Sequence, residues 1–154
     1  MALLAALGCG LVGGVFFAFS NFVMKALARI PDDQGMRAMQ SINVTVLNPV
    51  FLGLFVGTAA LCAVIAVTSL LHWQSPGSAY LLTGSALYLV GNLFVTRAFN
   101  IPRNEALARA DASSAEGARL WRGYVVDWTR WNHVRTATAL AAAASLTIGL
   151  CRGS

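Results

Sequence analysis

Apolar residues run in four long blocks separated by short polar stretches. Residues 1–24 carry no charged side chain, and about 20 apolar residues suffice to cross a bilayer, so a first span is predicted over about 2–25. Residues 38–96 contain no Lys, Arg, Asp or Glu. That is room for two spans, about 49–71 and 79–97, joined by the tight turn His72-Trp73-Gln74-Ser75-Pro76-Gly77-Ser78. A fourth span is predicted over about 130–151, and the polar segments of about 26–48 and 98–129 are assigned to the cytoplasm. Asn48-Pro49 supplies an N-cap amide followed by a proline suited to the first helical position; the alternative is a helix that begins near Met36 and kinks at Pro49. Residues 98–108 are read as the lead into a polar loop, and Ser113-x-x-Glu116 has capping-box spacing. The helix it starts, running to Leu150, would be about 50 Å long, so its first half must lie outside the hydrocarbon or along its surface. Gly117 and Gly123 are the places where it would bend. The fold class is therefore all-α: one integral-membrane domain, a four-helix bundle with an extended, amphipathic N-terminal half on the last helix.

Composition agrees with this reading. Hydrophobic residues make up 57% of the chain and charged residues 11%, too apolar for a soluble domain of this size. The net charge of +5 is scattered beside apolar spans and forms no continuous basic cluster. The partner it fits is the lipid bilayer with its anionic headgroups, and nucleic acid is excluded. Cys9, Cys62 and Cys151 sit in apolar runs without CxxC spacing and act as small hydrophobes. Residues 1–24 lack the basic n-region of a secretory signal and are read as retained. Of the eleven Lys and Arg, all but Arg152 lie at one end of the spans, which places both termini outside and the chain in the cell's inner (plasma) membrane as a multi-pass protein.

Small residues recur at helical spacing: Gly10 and Gly14 share a face with Phe17 and Asn21, Gly53 and Gly57 have GxxxG spacing, and Ala137, Ala141, Ser145 and Gly149 form a row. Such faces pack closely against another helix. If used inside the bundle they fit an enzyme; if turned outward they fit a protein partner.

Residues 121–136, WRGYVVDWTRWNHVRT, concentrate the chemistry. On an ideal helix Trp121, Tyr124, Trp128, Asn132 and Arg135 fall within about 80° of one another. An aromatic belt with snorkelling arginines would also account for this composition. The uncharged run that follows, residues 136–151, spans only about 24 Å, short of the roughly 30 Å core. Asn132, His133 and Arg135 are thereby drawn inside the bilayer edge, where polar groups mark functional sites. Asn132 and Arg135 lie on the stripe. His133 lies two positions from Arg135, about 160° around the axis, so either the helix is distorted there or only one of the two faces the site.

No HExxH, phosphate loop, GxSxG or CxxC is present, and the two histidines fall at opposite membrane faces with no carboxylate deep in a span. No cofactor and no metal site is expected. Amides, an imidazole and cations around aromatic walls suit an aromatic enol or phenolate.

The runs GGVFFAFSNFVMKALARIP, GMRAMQSIN, FNIPRNEALA and WRGYVVDWTRWNHVRT resemble the anthrone oxygenase-like family of small four-helix membrane proteins, many of which have no assigned role. The likeness covers nearly the whole chain, and Lys25 and Arg103 stand where the family pattern leads one to expect proline and leucine. The resemblance implies oxidation of a lipophilic anthrone-type phenol by O2 without an evident cofactor. In that reading His133 is the base, with Asn132, Arg135 and Asn104 as oxyanion donors. Phe17, Tyr124, Trp128 and Trp131 are the walls, and Asn21, Asn43 and Asn48 complete the lining. The competing class is a non-enzymatic membrane protein, either an accessory subunit or a carrier of a quinone-like lipophile.

Overall fold

A computed structural model describes residues 1–153. The described residues form helices and turns with no strand. The helices are α1 (Ala2–Leu27), α2 (Asp32–Thr45), α3 (Pro49–Leu71), α4 (Ser78–Arg109) and α5 (Ala115–Gly153). All but α2 are long and apolar enough to cross a bilayer, and the chain is a multi-pass membrane protein. The four long helices pack in a ring: α1 lies against α3 and α5, and α4 lies against the same two. Leu3, Leu7 and Leu11 of α1 and Val56, Val64 and Val67 of α3 stay exposed, as lipid-facing side chains must.

The start of α3 is decided by one side chain. Asn48 Oδ1 accepts from the Phe51 N–H (3.0 Å) and its Nδ2 donates to the Thr45 carbonyl (3.0 Å). It thus closes α2 and opens α3, with Pro49 in the first turn where its missing N–H costs nothing. There is no kinked helix from Met36. The turn before α4 needs Gly77, at φ 86°, where an added Cβ would also run into the Gly149 carbonyl of α5.

Two expectations at the polar end are corrected. The residues after 97 do not lead into a loop, because α4 continues helically through Pro102 to Arg109. A proline ring clashes with the carbonyl four residues back in a regular helix; here a wide π segment, Thr96–Asn100, precedes it and relieves the crowding. The capping box is displaced by one residue: Ser114 Oγ accepts from the Gly117 N–H (2.9 Å), while Asp111 Oδ1 accepts from both the N–H and Oγ–H of Ser113. Beyond that cap α5 is a single unbroken helix, so Gly117 and Gly123 do not interrupt it.

The small-residue faces also fall differently. Ala137 and Ala141 are exposed, whereas Ser145, half-buried and donating to the Tyr80 carbonyl, and Gly149, buried against Leu81, do pack on α4. The row divides because every fourth residue drifts about 40° per step on a 3.6-residue helix, and Ala139, Ala142 and Leu146 complete the buried face. Gly10 of α1 and Gly53 and Gly57 of α3 have nothing near them, and Gly14 is likewise open. The face expected to meet another helix within the chain looks outward, and α1 uses Gly8 and Gly13 for its close contacts to Thr58 and to Ala139 and Leu140.

The interior is divided between two clusters. Towards the termini, Cys9, Val12 and Phe16 pack with Phe55, Cys62, Ile65, Tyr88 and Leu146. At the other end Met24, Met36, Met39 and Leu107 close over Trp121, Tyr124 and Trp128. Helix α2 acts as the cover of that second cluster, with its Gln40 amide donating to the Leu107 and Ala110 carbonyls at the end of α4.

Candidate functional site

The stripe on α5 is buried along its length: Trp121, Tyr124, Trp128, Asn132 and Arg135 are each 5% exposed or less. Three of them form a column of near-parallel rings, with centroids 5.8 Å apart from Trp121 to Tyr124 and 6.1 Å from Tyr124 to Trp128. The Arg135 guanidinium caps the column, its Cζ 5.1 Å from the Trp128 ring and 4.1 Å above that of Phe16. A desolvated cation over an aromatic face is attracted to it by up to about 2 kcal/mol.

Asn132 is the hub of the polar contacts. Its Nδ2 donates to the Phe16 carbonyl and to Ser20 Oγ, both at 2.7 Å, and its Oδ1 accepts from Arg135 Nη2 at 2.6 Å. Arg135 Nη1 donates to Thr96 Oγ1 (3.2 Å). Asn100 Nδ2 reaches the Trp128 carbonyl (3.4 Å), and Asn92, fully buried, faces Thr138 Oγ1 at 3.2 Å. At the foot of the column the Tyr124 hydroxyl donates to Asn104 Oδ1 (2.9 Å) and lies 3.4 Å from the donating Asn43 amide.

Helix α5 is regular at Asn132, so of the two alternatives only one of His133 and Arg135 faces the site; the distortions lie in the neighbouring helices. Three π segments face the cluster: Phe19–Val23 in α1, and Leu89–Phe94 and Thr96–Asn100 in α4. They carry Ser20, Asn92, Thr96 and Asn100. Such widened turns concentrate at functional sites. On an ideal helix Asn92 and Asn100 would point about 80° apart, yet both are buried here.

Arg135 has no carboxylate partner. The ion pairs among the described residues, Arg109–Glu105 and Arg122–Asp32, are largely exposed and elsewhere. Three polar atoms beside the guanidinium and the column, Arg135 Nε, Trp128 Nε1 and Asn100 Oδ1, are buried without a hydrogen-bond partner. A buried cation and an indole N–H with nothing to donate to can receive an anionic oxygen. Among the described residues no three His, Cys, Asp or Glu side chains gather to hold a metal.

The predicted site residues divide. Asn132, Arg135, Trp128, Tyr124, Asn104 and Asn43 are brought together. His133 is exposed and lines an open groove on another side of α5, so the base assigned from the resemblance does not face Arg135; a regular helix forbids both. Phe17 and Asn21 are exposed on the outward face of α1, and exposed Asn48 is engaged as a helix cap. Trp131, half-buried, stacks on Phe99 at 3.6 Å and lies off the column. Phe16, Ser20, Thr96 and Asn100 enter without having been foreseen. Ser20 was within reach, since it continues the row Cys9, Val12 and Phe16, whereas Asn21 drew notice only for its amide. Thr96 and Asn100 were not, because the π segments shift the helical phase.

These features define a class: a helical, multi-pass membrane protein that buries an arginine–amide cluster over an aromatic column at one end. A family model described as anthrone oxygenase matches residues 51–145, more than half of the chain, and the chain belongs to the anthrone oxygenase family. The match takes in α3, α4 and the α5 residues from Trp121 to Arg135. No curated protein and no solved structure matches the chain.

Proposed function

We propose that this protein is a membrane-embedded oxygenase that takes a lipophilic, anthrone-type phenolic substrate and O2 and holds the substrate's anion against Arg135. The observation that carries the reading is a guanidinium 4% exposed with no carboxylate partner. An uncompensated buried charge is expensive, and an anionic ligand offsets that cost. The central methylene of an anthrone is acidic because its anion is a delocalised phenolate, which the guanidinium, held in place by Asn132, and Trp128 Nε1 stabilise while the rings exclude water. The carbanion carbon forms a bond to O2, and protonation gives a hydroperoxide. Loss of the second C–H proton then breaks the O–O bond, leaving a ketone and water. One CH2 and one O2 become C=O and H2O, so the substrate supplies every electron and no external donor enters the balance. His133 has no part in this scheme. Both termini lie outside the plasma membrane, with the site at the cytoplasmic end.

Oxygen uptake by the detergent-solubilised protein with anthrone should exceed autoxidation, and Arg135→Gln should remove the excess. A wild-type rate equal to autoxidation across a panel of polyaromatic phenols refutes the assignment.

A second reading, an accessory subunit, is favoured by the outward faces of Gly10 and Gly14 and of Gly53 and Gly57. Gly14→Ile with Gly57→Ile should leave the fold intact and, in this reading, shrink the assembly extracted from native membranes. An unchanged size removes it.

A further inference from the structure

Beside the buried cluster, α1 and α5 part to form an open cavity of about 400 Å3. Its ionisable residues are all basic: Lys25 comes from α1, Arg130 and His133 from α5, beside the hydroxyl residues Ser20 and Thr129. No acidic residue lines it, and neither Lys25 nor Arg130 has a carboxylate within ion-pairing distance among the described residues. Its floor is apolar, made by Met24, Ala28, Val125 and Val126. One wall is the Thr129 side chain, whose buried Oγ1 has no hydrogen-bond partner.

We propose that this groove is a second binding site, separate from the aromatic column, for the anionic head of an amphiphile. The head, a phosphate or carboxylate, sits between Lys25, Arg130 and His133, and the apolar body lies on Met24 and Val125. Three observations carry this. Basic residues from two helices border the groove, and Lys25 and Arg130 have no counter-ion among the described residues. The volume is that of a small-molecule site. The groove lies where the basic end of the spans meets apolar surface, where acidic headgroups concentrate. A fatty or aromatic carboxylate presents the same chemistry as an acidic phospholipid, and either source fills it. The inference does not depend on turnover at Arg135.

The test measures binding to the detergent-solubilised full chain by calorimetry, with short-chain phosphatidylglycerol, phosphatidylcholine of the same chain length and 9-anthracenecarboxylate as probes. One anion should bind per chain, and binding should weaken roughly 30-fold in Lys25→Gln with Arg130→Gln, since each basic residue near a lipid surface is worth about a five-fold change. It should survive Lys25→Arg with Arg130→Lys. Tighter phosphatidylglycerol identifies a resident lipid, and a tighter carboxylate identifies a lipophilic acid. Phosphatidylcholine binding as tightly as both anions, or undiminished binding in the glutamine variant, overturns the proposal. So does loss of anion binding in a folded Arg135→Gln variant, which would move the anion to the column.

Discussion

Replacing Asn132 by leucine tests whether Asn132 and Arg135 form one unit. The substitution keeps the forked shape of the side chain but removes two donated bonds of 2.7 Å and the acceptor of the 2.6 Å bond from the guanidinium. Hydrogen bonds within membranes average about 0.6 kcal/mol and reach about 1.7, so three of them come to roughly 2–5 kcal/mol. Leaving a buried charged donor without its acceptor costs about 1–3 kcal/mol or more by desolvation alone, which falls in the same range. Arg135→Met removes that charge and leaves the Asn132 Oδ1 and the Thr96 Oγ1 without that donor, at about 1–3 kcal/mol for each acceptor left unsatisfied, partly offset by the lost desolvation. In the double variant the orphaned charge is gone, so it should be more stable than Asn132→Leu alone, with a coupling energy of about 2 kcal/mol or more. Reversible SDS unfolding in mixed micelles, followed by tryptophan fluorescence, measures all four corners of the cycle. Effects that add within about 0.5 kcal/mol would mean the two side chains do not share an interaction, and the reasoning fails.

An alanine at Gly91 would drive its Cβ into the Thr138 side chain, where α4 meets α5. Overpacking of this kind costs about 1–3 kcal/mol, and Thr138→Ala should not recover it, because the Thr138 Cβ, which alanine keeps, is itself among the atoms struck, while Gly57→Ala, with open space around it, should stay within about 0.5 kcal/mol of wild type. The Ser113 hydroxyl and N–H hold the Asp111 carboxyl below the ordinary aspartate range. Its support for the start of α5 is therefore full above the unfolded value near 3.8 and is lost as pH falls through the lowered one; amide exchange at residues 113–117 should accelerate below about pH 4, and a wild-type rate that ignores this range contradicts the cap. Ser78 is buried and donates to the His72 carbonyl, so topology is better probed from exposed positions. In a background lacking Cys151, Ser75→Cys should label from outside and Ser113→Cys only from the cytoplasm, and labelling of both from one side would reverse the assignment.

What was legible in the sequence is what depends on local periodicity and solvent preference. Four apolar blocks in a bilayer have one economical solution, helices that satisfy their own backbone, and the capping amide at Asn48 marked where α3 begins. The stripe from Trp121 to Arg135 was legible for the same reason, since it lies on one regular helix whose phase is 3.6 residues. The helices facing it were a different matter. Which glycine row of α1 packs inward depends on what α3 and α5 present to it, so Gly10 and Gly14 read like a contact and turned out to be surface. Asn104 and Asn43 meet at Tyr124 only because Pro102 is carried helically by a widened turn and α2 folds back over the aromatic column. Thr96 and Asn100 reach the cluster through π segments whose phase no ideal wheel represents. Tertiary packing alone decided that Arg135 is left without a carboxylate while His133 faces the groove. The charge of a residue is written in the sequence, but its partner is set by helices that pack beside it from far along the chain.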